Sequence, residues 1–269
     1  MTTNPFNLED SVVLISGGSR GIGLAIAEGF ASQGAKVVIT GRTEKSLVET
    51  CEKTPSTKHA MTWIVCDVAE EALIKSCVNE VVERHGRIDT LVNCAGINKR
   101  MPAIEYTAEE FDAIVHINLR GAFLMSQTVG KVMIKQGSGN QINIDSFTSH
   151  APLTNVVPYS MTKAGMTGMT RGLALEWGKY GIRINGIAPG FILTDLNKKM
   201  WEDENLQAWN KAVTPAKRMG APVDLAGTAM FLASPAADFV SGQTIRVDGG
   251  LSAGLNWPIE KDFDVSLND

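Results

Sequence analysis

The sequence predicts an α/β fold, a doubly wound parallel sheet with helices on both faces, and three observations carry that expectation. Short β-branched runs alternate with longer stretches of helical period. Several runs are apolar on both faces, and the first leads through a glycine cluster straight into a helix. Strands covered on both faces belong to parallel sheets, and strand–helix alternation closes them through right-handed crossovers. The expected strands are 12–16, 36–40, 61–66, 88–93, 140–144, 182–187 and 244–247. Between them, 22–33, 69–85, 108–135, 160–179 and 222–233 have the spacing and length of helices. No repeat, linker or composition break marks a second domain, so 1–269 reads as one domain.

Composition narrows the function classes. A chain of 269 residues with 44% hydrophobic and 20% charged residues buries one ordinary globular core. A net charge of −4 argues against a broad nucleic-acid surface. The first ten residues lack the basic start and apolar stretch of a secretory signal, and no apolar run approaches the ~18 residues of a membrane span. Cys51, Cys66, Cys77 and Cys94 form no CxxC pair, and His59, His85, His116 and His150 show no ligand spacing. The expectation is a reduced, cytoplasmic protein with no disulfide and no metal, acting on a small molecule.

One stretch departs from the alternation. Residues 191–217, between Pro189-Gly190 and Pro215, mix Met200, Trp201 and Trp209 with charges. That mixture suits a helical flap over a pocket, or equally a surface helix whose tryptophans pack on the domain or a partner.

The first strand runs through Ser16-Gly17-Gly18-Ser19-Arg20-Gly21-Ile22-Gly23 into a helix. A tight turn needs Gly17, close approach of a pyrophosphate needs Gly21, and helix-to-sheet contact needs Gly23. The helix N-terminus then offers free N–H groups to phosphates. The spacing is GxxxGxG, and there the chain resembles the short-chain dehydrogenase/reductase family, which implies a Rossmann-type, dinucleotide-binding catalytic domain. The second strand ends in Thr40-Gly41-Arg42. An acid there would accept from a ribose 2′-hydroxyl, whereas an arginine, flanked by Arg20, suits a 2′-phosphate, so NADP(H) is the expected cofactor. By resemblance Asp67, with Val68 beside it, contacts the adenine. Asn93-Cys94-Ala95-Gly96 resembles the family's NNAG turn with a cysteine in the second position. Ser19, Ile22, Asn93, Ala95 and Gly96 complete this half of the expected cofactor site.

The chemistry rests on Tyr159-Ser160-Met161-Thr162-Lys163. Residues four apart share a helix face, so the lysine ammonium can stand beside the phenol. A free phenol ionises near ~10; a neighbouring cation favours the phenolate and brings it towards the working range as an acid/base. Ser146, at the end of the fifth strand, matches the family's serine that bonds the reacting oxygen. Asn118 matches its helix-borne asparagine, which assists a proton relay to Lys163. Asp145 and Gln141 depart from the small or apolar residues of most relatives. Pro189, Gly190, Ile192 and Thr194 match the family's segment around the nicotinamide, with Thr194 and the Ile192 backbone on its carboxamide. The likeness spans about residues 8–251, and implies a carbonyl reductase or alcohol dehydrogenase that pairs its long helices in a homotetramer. The tail 252–269, with Trp257-Pro258, is a candidate for reaching a neighbouring subunit.

Within the family the chain looks most like the gluconate 5-dehydrogenase and 2-deoxygluconate dehydrogenase group, through residues 95–102 and 214–220. There Arg100 occupies the place of an arginine that partners a sugar-acid carboxylate, or else it is a solvated loop cation. His150, Phe191 and Trp201 join Arg100, Ser146 and Tyr159 as expected substrate contacts. Two alternatives share the catalytic set. A 3-ketoacyl-thioester reductase should offer a basic docking surface, but Lys198, Lys199 and Lys217 are interleaved with Glu202, Asp203 and Glu204. A reductase of small hydrophobic ketones would use an apolar flap, for which Phe191, Met200 and Trp201 qualify. A non-catalytic NADP-binding regulator is disfavoured by the complete Tyr–Lys–Ser–Asn set.

Overall fold

The computed structural model describes residues 4–55, 57–195 and 197–254. Seven parallel strands form one sheet in the order β3-β2-β1-β4-β5-β6-β7. They are β1 (Val12–Ser16), β2 (Lys36–Gly41), β3 (Thr62–Val65), β4 (Thr90–Asn93), β5 (Gly139–Ile144), β6 (Ile182–Pro189) and β7 (Thr244–Val247). Helices α1 (Gly21–Ser32), α2 (Glu44–Lys53), α3 (Glu71–His85), α4 (Ala108–Val115), α5 (Ala122–Gln136), α6 (Val157–Trp177), α7 (Glu204–Val213) and α8 (Ala226–Ala233) connect and cover them.

The double covering explains why β1 is apolar from Val12 to Ile15. Val13 and Ile15 join Ile26 and Phe30 of α1 and Leu232 of α8 in one core. Val12 and Leu14 join Ile74 and Val78 of α3, Met125 and Val129 of α5 and Leu173 of α6 in the other. Each fully buried aliphatic of this kind contributes roughly 1.5–3 kcal/mol of transfer free energy. The chain order reverses between β1 and β4, which opens a crevice at the carboxyl ends of the strands, the place where doubly wound sheets take ligands.

The strands fall where the sequence places them, within two residues at each end. The helices differ in three ways. The stretch 108–135 is not one α-helix: a π-helical segment, His116–Gly121, separates α4 from α5. The stretch 222–233 opens as a 3-10 turn, Pro222–Leu225, where the Asp224 carboxylate accepts from the Ala221 N–H at 2.8 Å before α8 begins. Helix α2 has no counterpart among the expected elements, because it buries only Leu47 and carries a polar surface paired through Lys45–Glu49 and Lys53–Glu49. Within 191–217, α7 starts at Asp203, whose carboxylate caps the N–H groups of Asn205 and Leu206 at 2.8 and 3.2 Å. The stretch 255–269, with Trp257-Pro258, lies outside the described residues.

Candidate active site

The glycine loop bends over the end of β1. Its Gly17 and Gly18 N–H groups donate to the Thr40 carbonyl at 2.9 and 3.2 Å. Gly17 and Gly21 have φ of 71° and 56°, a left-handed backbone that glycine adopts without strain. A Cβ on Gly17 would lie 2.9 Å from the Ala95 backbone, and one on Gly23 would lie 2.2 Å from the Gly17 carbonyl oxygen. The Ser16 hydroxyl, beneath the loop, accepts from the Cys94 and Ala95 N–H groups at 3.1 and 3.3 Å. These contacts leave the start of α1 close against two backbones. Gly23→Ala is therefore expected to destabilise the fold by about 1–3 kcal/mol and to weaken NADPH and NADH alike. Thermal unfolding and cofactor titration of the variant check it, and an unchanged melting temperature would contradict the packing argument.

Across the crevice, a Cβ on Gly21 would come within 3.5 Å of the Thr194 methyl, so the glycine loop and the segment after β6 face each other. That segment is held by its own bonds. Thr194 N–H donates to the Asn197 side chain at 2.8 Å, Asn197 donates to the Ile192 carbonyl at 2.8 Å, and Ile192 bridges to Gly220. Gly190 N–H donates to the Val247 carbonyl at 3.0 Å, which carries the Pro189-Gly190 turn on β7. Arg20, on the glycine loop, and Arg42, directly after β2, are exposed, and neither forms an ion pair or side-chain hydrogen bond among the described residues. Ser19 is tied to α2, its carbonyl accepting from the Thr50 hydroxyl at 2.9 Å. Ile22 packs on the core below. Asp67 does not cap α3, whose N-cap is Glu70; its carboxylate accepts from the Ala69 N–H at 3.0 Å. The Val68 carbonyl would lie 2.7 Å from a Cβ on Gly121, which fixes this loop against the start of α5.

At the other end of the crevice, Tyr159 is half-buried in the first turn of α6 and Lys163 is buried one turn on. The Lys163 ammonium stands 5.6 Å from the Tyr159 ring centre and donates to the Ile144 carbonyl at 2.6 Å, two residues before Ser146. The Ser146 hydroxyl, buried, accepts from the Thr148 N–H and hydroxyl at 3.2 and 2.9 Å. Its neighbour Ser149 bonds the exposed His150 ring at 2.7 Å. Asn118 is wholly buried in the π segment. Its side-chain oxygen accepts from the Ile97 N–H and its amide donates to the Ile97 carbonyl, both at 2.8 Å, and the amide also reaches the Thr162 hydroxyl at 3.3 Å. The wider π turn thus puts a helix-borne amide against the strand-end turn that contains Ala95 and Gly96. Asn93 lies below, donating to Ser126 and Asn143 at 2.8 and 2.9 Å. Burial pushes the Cys94 thiol up to about 11, so it stands neutral under the crevice.

The rim is aromatic on one side. Phe191 meets Phe147, Trp201 and Trp209 edge-on, with ring centres 5.0, 5.3 and 5.4 Å apart. Phe147 directly follows Ser146, so this cluster joins the 191–217 segment to the end of β5 that leads into Ser146. Trp201 is buried within it, and its indole N–H has no partner among the described residues. On the other side Arg100 is exposed and unpaired among the described residues, while Lys99 pairs with Glu110. The Met101 N–H to Asn155 carbonyl bond, 3.0 Å, ties the Arg100 loop to the turn before α6. Thr148, Thr162 and Thr167, which orient Ser146, Asn118 and Asp145, were not singled out from sequence. Threonines beside motif residues are too common for spacing alone to mark them.

The fold and this constellation define a nucleotide-dependent oxidoreductase, and the comparisons with known proteins agree. A family model described as Enoyl-(Acyl carrier protein) reductase matches residues 17–252. Gluconate 5-dehydrogenase of Gluconobacter oxydans (strain 621H) is 36% identical over 250 residues, 93% of this chain and 98% of that protein. Levodione reductase of Leifsonia aquatica is 40% identical over 255 residues, 91% and 95% of the two chains. The crystal structure of a gluconate 5-dehydrogenase from Burkholderia cenocepacia J2315, in complex with NADP and tartrate, superposes with a TM-score of 0.89. It is 39% identical, with 93% of this chain and 98% of that one covered. The chain belongs to the short-chain dehydrogenase/reductase family and is an oxidoreductase. Among the described residues no helix is long and apolar enough to cross a membrane.

Proposed function

We propose that this protein transfers hydride between NADP(H) and a secondary alcohol or ketone, with a sugar acid such as gluconate/5-ketogluconate as substrate and Tyr159 as acid/base. The observation that carries the reading is the corner where Tyr159, Lys163 and the Ser146 strand end converge, in the crevice whose other end is the glycine loop. The residues fit the cofactor: Gly17 and Gly23 leave no room for a Cβ, Gly21 opens towards Thr194, and Arg20 and Arg42 stand free for a phosphate. The nicotinamide, when bound, supplies or accepts the hydride. In carbonyl reduction the Tyr159 hydroxyl gives its proton to the substrate oxygen, and in alcohol oxidation it takes that proton back. Lys163, buried and charged beside the ring, favours the phenolate. The Ser146 hydroxyl, oriented by Thr148, donates to the reacting oxygen and holds it near Tyr159. Asn118, bonded to the Ile97 turn and to Thr162 next to Lys163, offers the route by which the proton is replenished.

Arg100 is proposed to anchor the substrate carboxylate at the rim, supported by its lack of an internal partner and by the tartrate, a dicarboxylate, in the Burkholderia structure. Arg100→Ala is expected to raise KM for 5-ketogluconate about 10- to 100-fold with kcat little changed, since the anchor acts equally in ground and transition states. Steady-state kinetics read this directly, and an unaltered KM removes Arg100 from the substrate site.

A second reading has its own support. The Phe147–Phe191–Trp201–Trp209 cluster presents an apolar wall next to Ser146, as a small hydrophobic ketone would require, and levodione reductase is among the relatives. Rates on a cyclic apolar ketone beside 5-ketogluconate separate the two. The same proposal places the protein in the cytoplasm as a homotetramer. Phe123 on α5 and Met161 and Leu175 on α6, exposed at 40%, 53% and 87%, would be covered by helix pairing, and light scattering reads the mass.

A further inference from the structure

Strand β5 and the residue after it place three polar side chains on the α5/α6 side: Gln141, Asn143 and Asp145, all buried. The first two are amides bonded to Ser126 and Thr170. Asp145 is different in kind. It sits between Ile144, whose carbonyl takes the Lys163 hydrogen bond, and Ser146. Its own N–H donates to the Ile187 carbonyl at 2.7 Å, which holds it in register with β6. One carboxylate oxygen, Oδ2, accepts from the Thr167 hydroxyl, one turn beyond Lys163 on α6; the other, Oδ1, is buried with no partner among the described residues.

A buried carboxylate with one oxygen left unpartnered is costly, and a structural role at this place would be filled more cheaply by a small side chain. What offsets the cost is charge. Burial pushes the Asp145 carboxyl above the usual carboxylate range, opposed by the Thr167 hydroxyl, the Lys163 ammonium and the Ser146 N–H, with His150 a smaller contribution. The titratable groups facing Asp145 are thus Lys163 from α6 and His150 from the turn after β5, while β6 offers the Ile187 carbonyl. Lys163 in turn faces Tyr159 on its own helix and Cys94 from the end of β4. An electrostatic interaction is reciprocal: Lys163 favours the ionised Asp145 carboxylate, and that carboxylate in turn offsets the field that Lys163 exerts on its other neighbours.

We propose that Asp145 is a positioning residue that acts through Lys163, its carboxylate countering the ammonium and so restraining the ionisation of the Tyr159 hydroxyl. The inference rests on the reading of Tyr159 as acid/base. Its sign is definite: with Asp145 ionised, the phenolate is disfavoured, and removing the charge lets Tyr159 ionise at lower pH.

The test is ultraviolet difference titration of phenolate absorbance in the full chain. Only three tyrosines are present, so subtracting the curve of Tyr159→Phe from that of the wild type isolates Tyr159. The same subtraction is made for Asp145→Asn and Asp145→Ser, each with and without the Tyr159→Phe change. Both variants are expected to increase the Tyr159 ionisation constant about three- to tenfold, moving the midpoint to lower pH. A merely structural loss would lower the melting temperature and leave the midpoint in place, and an unmoved midpoint overturns the role of Asp145. A wild-type midpoint no lower than the ~10 of a free phenol strikes at the acid/base reading itself, and at Asp145 with it.

Discussion

Replacing Tyr159 by Phe should lower turnover by about 10²- to 10⁴-fold and leave NADPH affinity within about twofold, because a general acid/base of this kind contributes that much and binding does not need its proton. The ring remains, so the 5.6 Å approach of the Lys163 ammonium and the fit of α6 against the sheet are preserved. What disappears is the hydroxyl proposed to exchange a proton with the reacting oxygen. Stopped-flow or steady-state NADPH oxidation measures the loss, and NADPH fluorescence measures binding in the same samples. Near-normal turnover in the variant would move the proton transfer to another group, with the buried Ser146 next in line.

Arg42→Ala should weaken NADPH about 10- to 100-fold while changing NADH by no more than about twofold. The figure follows from losing charge-assisted hydrogen bonds to a phosphate, roughly 1.5–3 kcal/mol. The discrimination is local: Arg42 is exposed at the end of β2, Gly41 supplies no carboxylate to hold a ribose hydroxyl, and Arg20 stands on the glycine loop nearby. Because the exposed side chain forms no ion pair or side-chain hydrogen bond among the described residues, the folded state should be indifferent to its removal. Dissociation constants for the two cofactors, measured at fixed ionic strength, test the ratio. Equal losses would place the 2′-phosphate elsewhere.

The sheet was legible because double covering writes itself into strands such as β1, where Val12, Val13, Leu14 and Ile15 are all buried and all apolar. The glycine loop was legible for a related reason, since Gly17 and Gly23 answer to backbones that approach within the reach of a methyl group. Tyr159 and Lys163 stood out because chemistry constrains two residue types at one helical interval. Helix α2 escaped because a helix that buries a single leucine leaves no apolar stripe to detect. The π segment escaped too: its sequence keeps helical period on either side, and the extra residue shows only in where the Asn118 amide lands, against Ile97. Asp145 was visible as a departure, but its pairing with Thr167 depends on how far α6 stands from β5, a tertiary distance that spacing does not encode. The same holds for the aromatic rim, whose members come from four separate points between Phe147 and Trp209.

The most direct test of the account is the initial rate of NADPH oxidation with 5-ketogluconate, run beside NADH, an acetoacetyl thioester and a cyclic apolar ketone. The account predicts rapid NADPH-linked reduction of the keto acid and much slower rates with NADH or with the other two substrates. A clear preference for NADH, or turnover confined to the thioester or the apolar ketone, would contradict it.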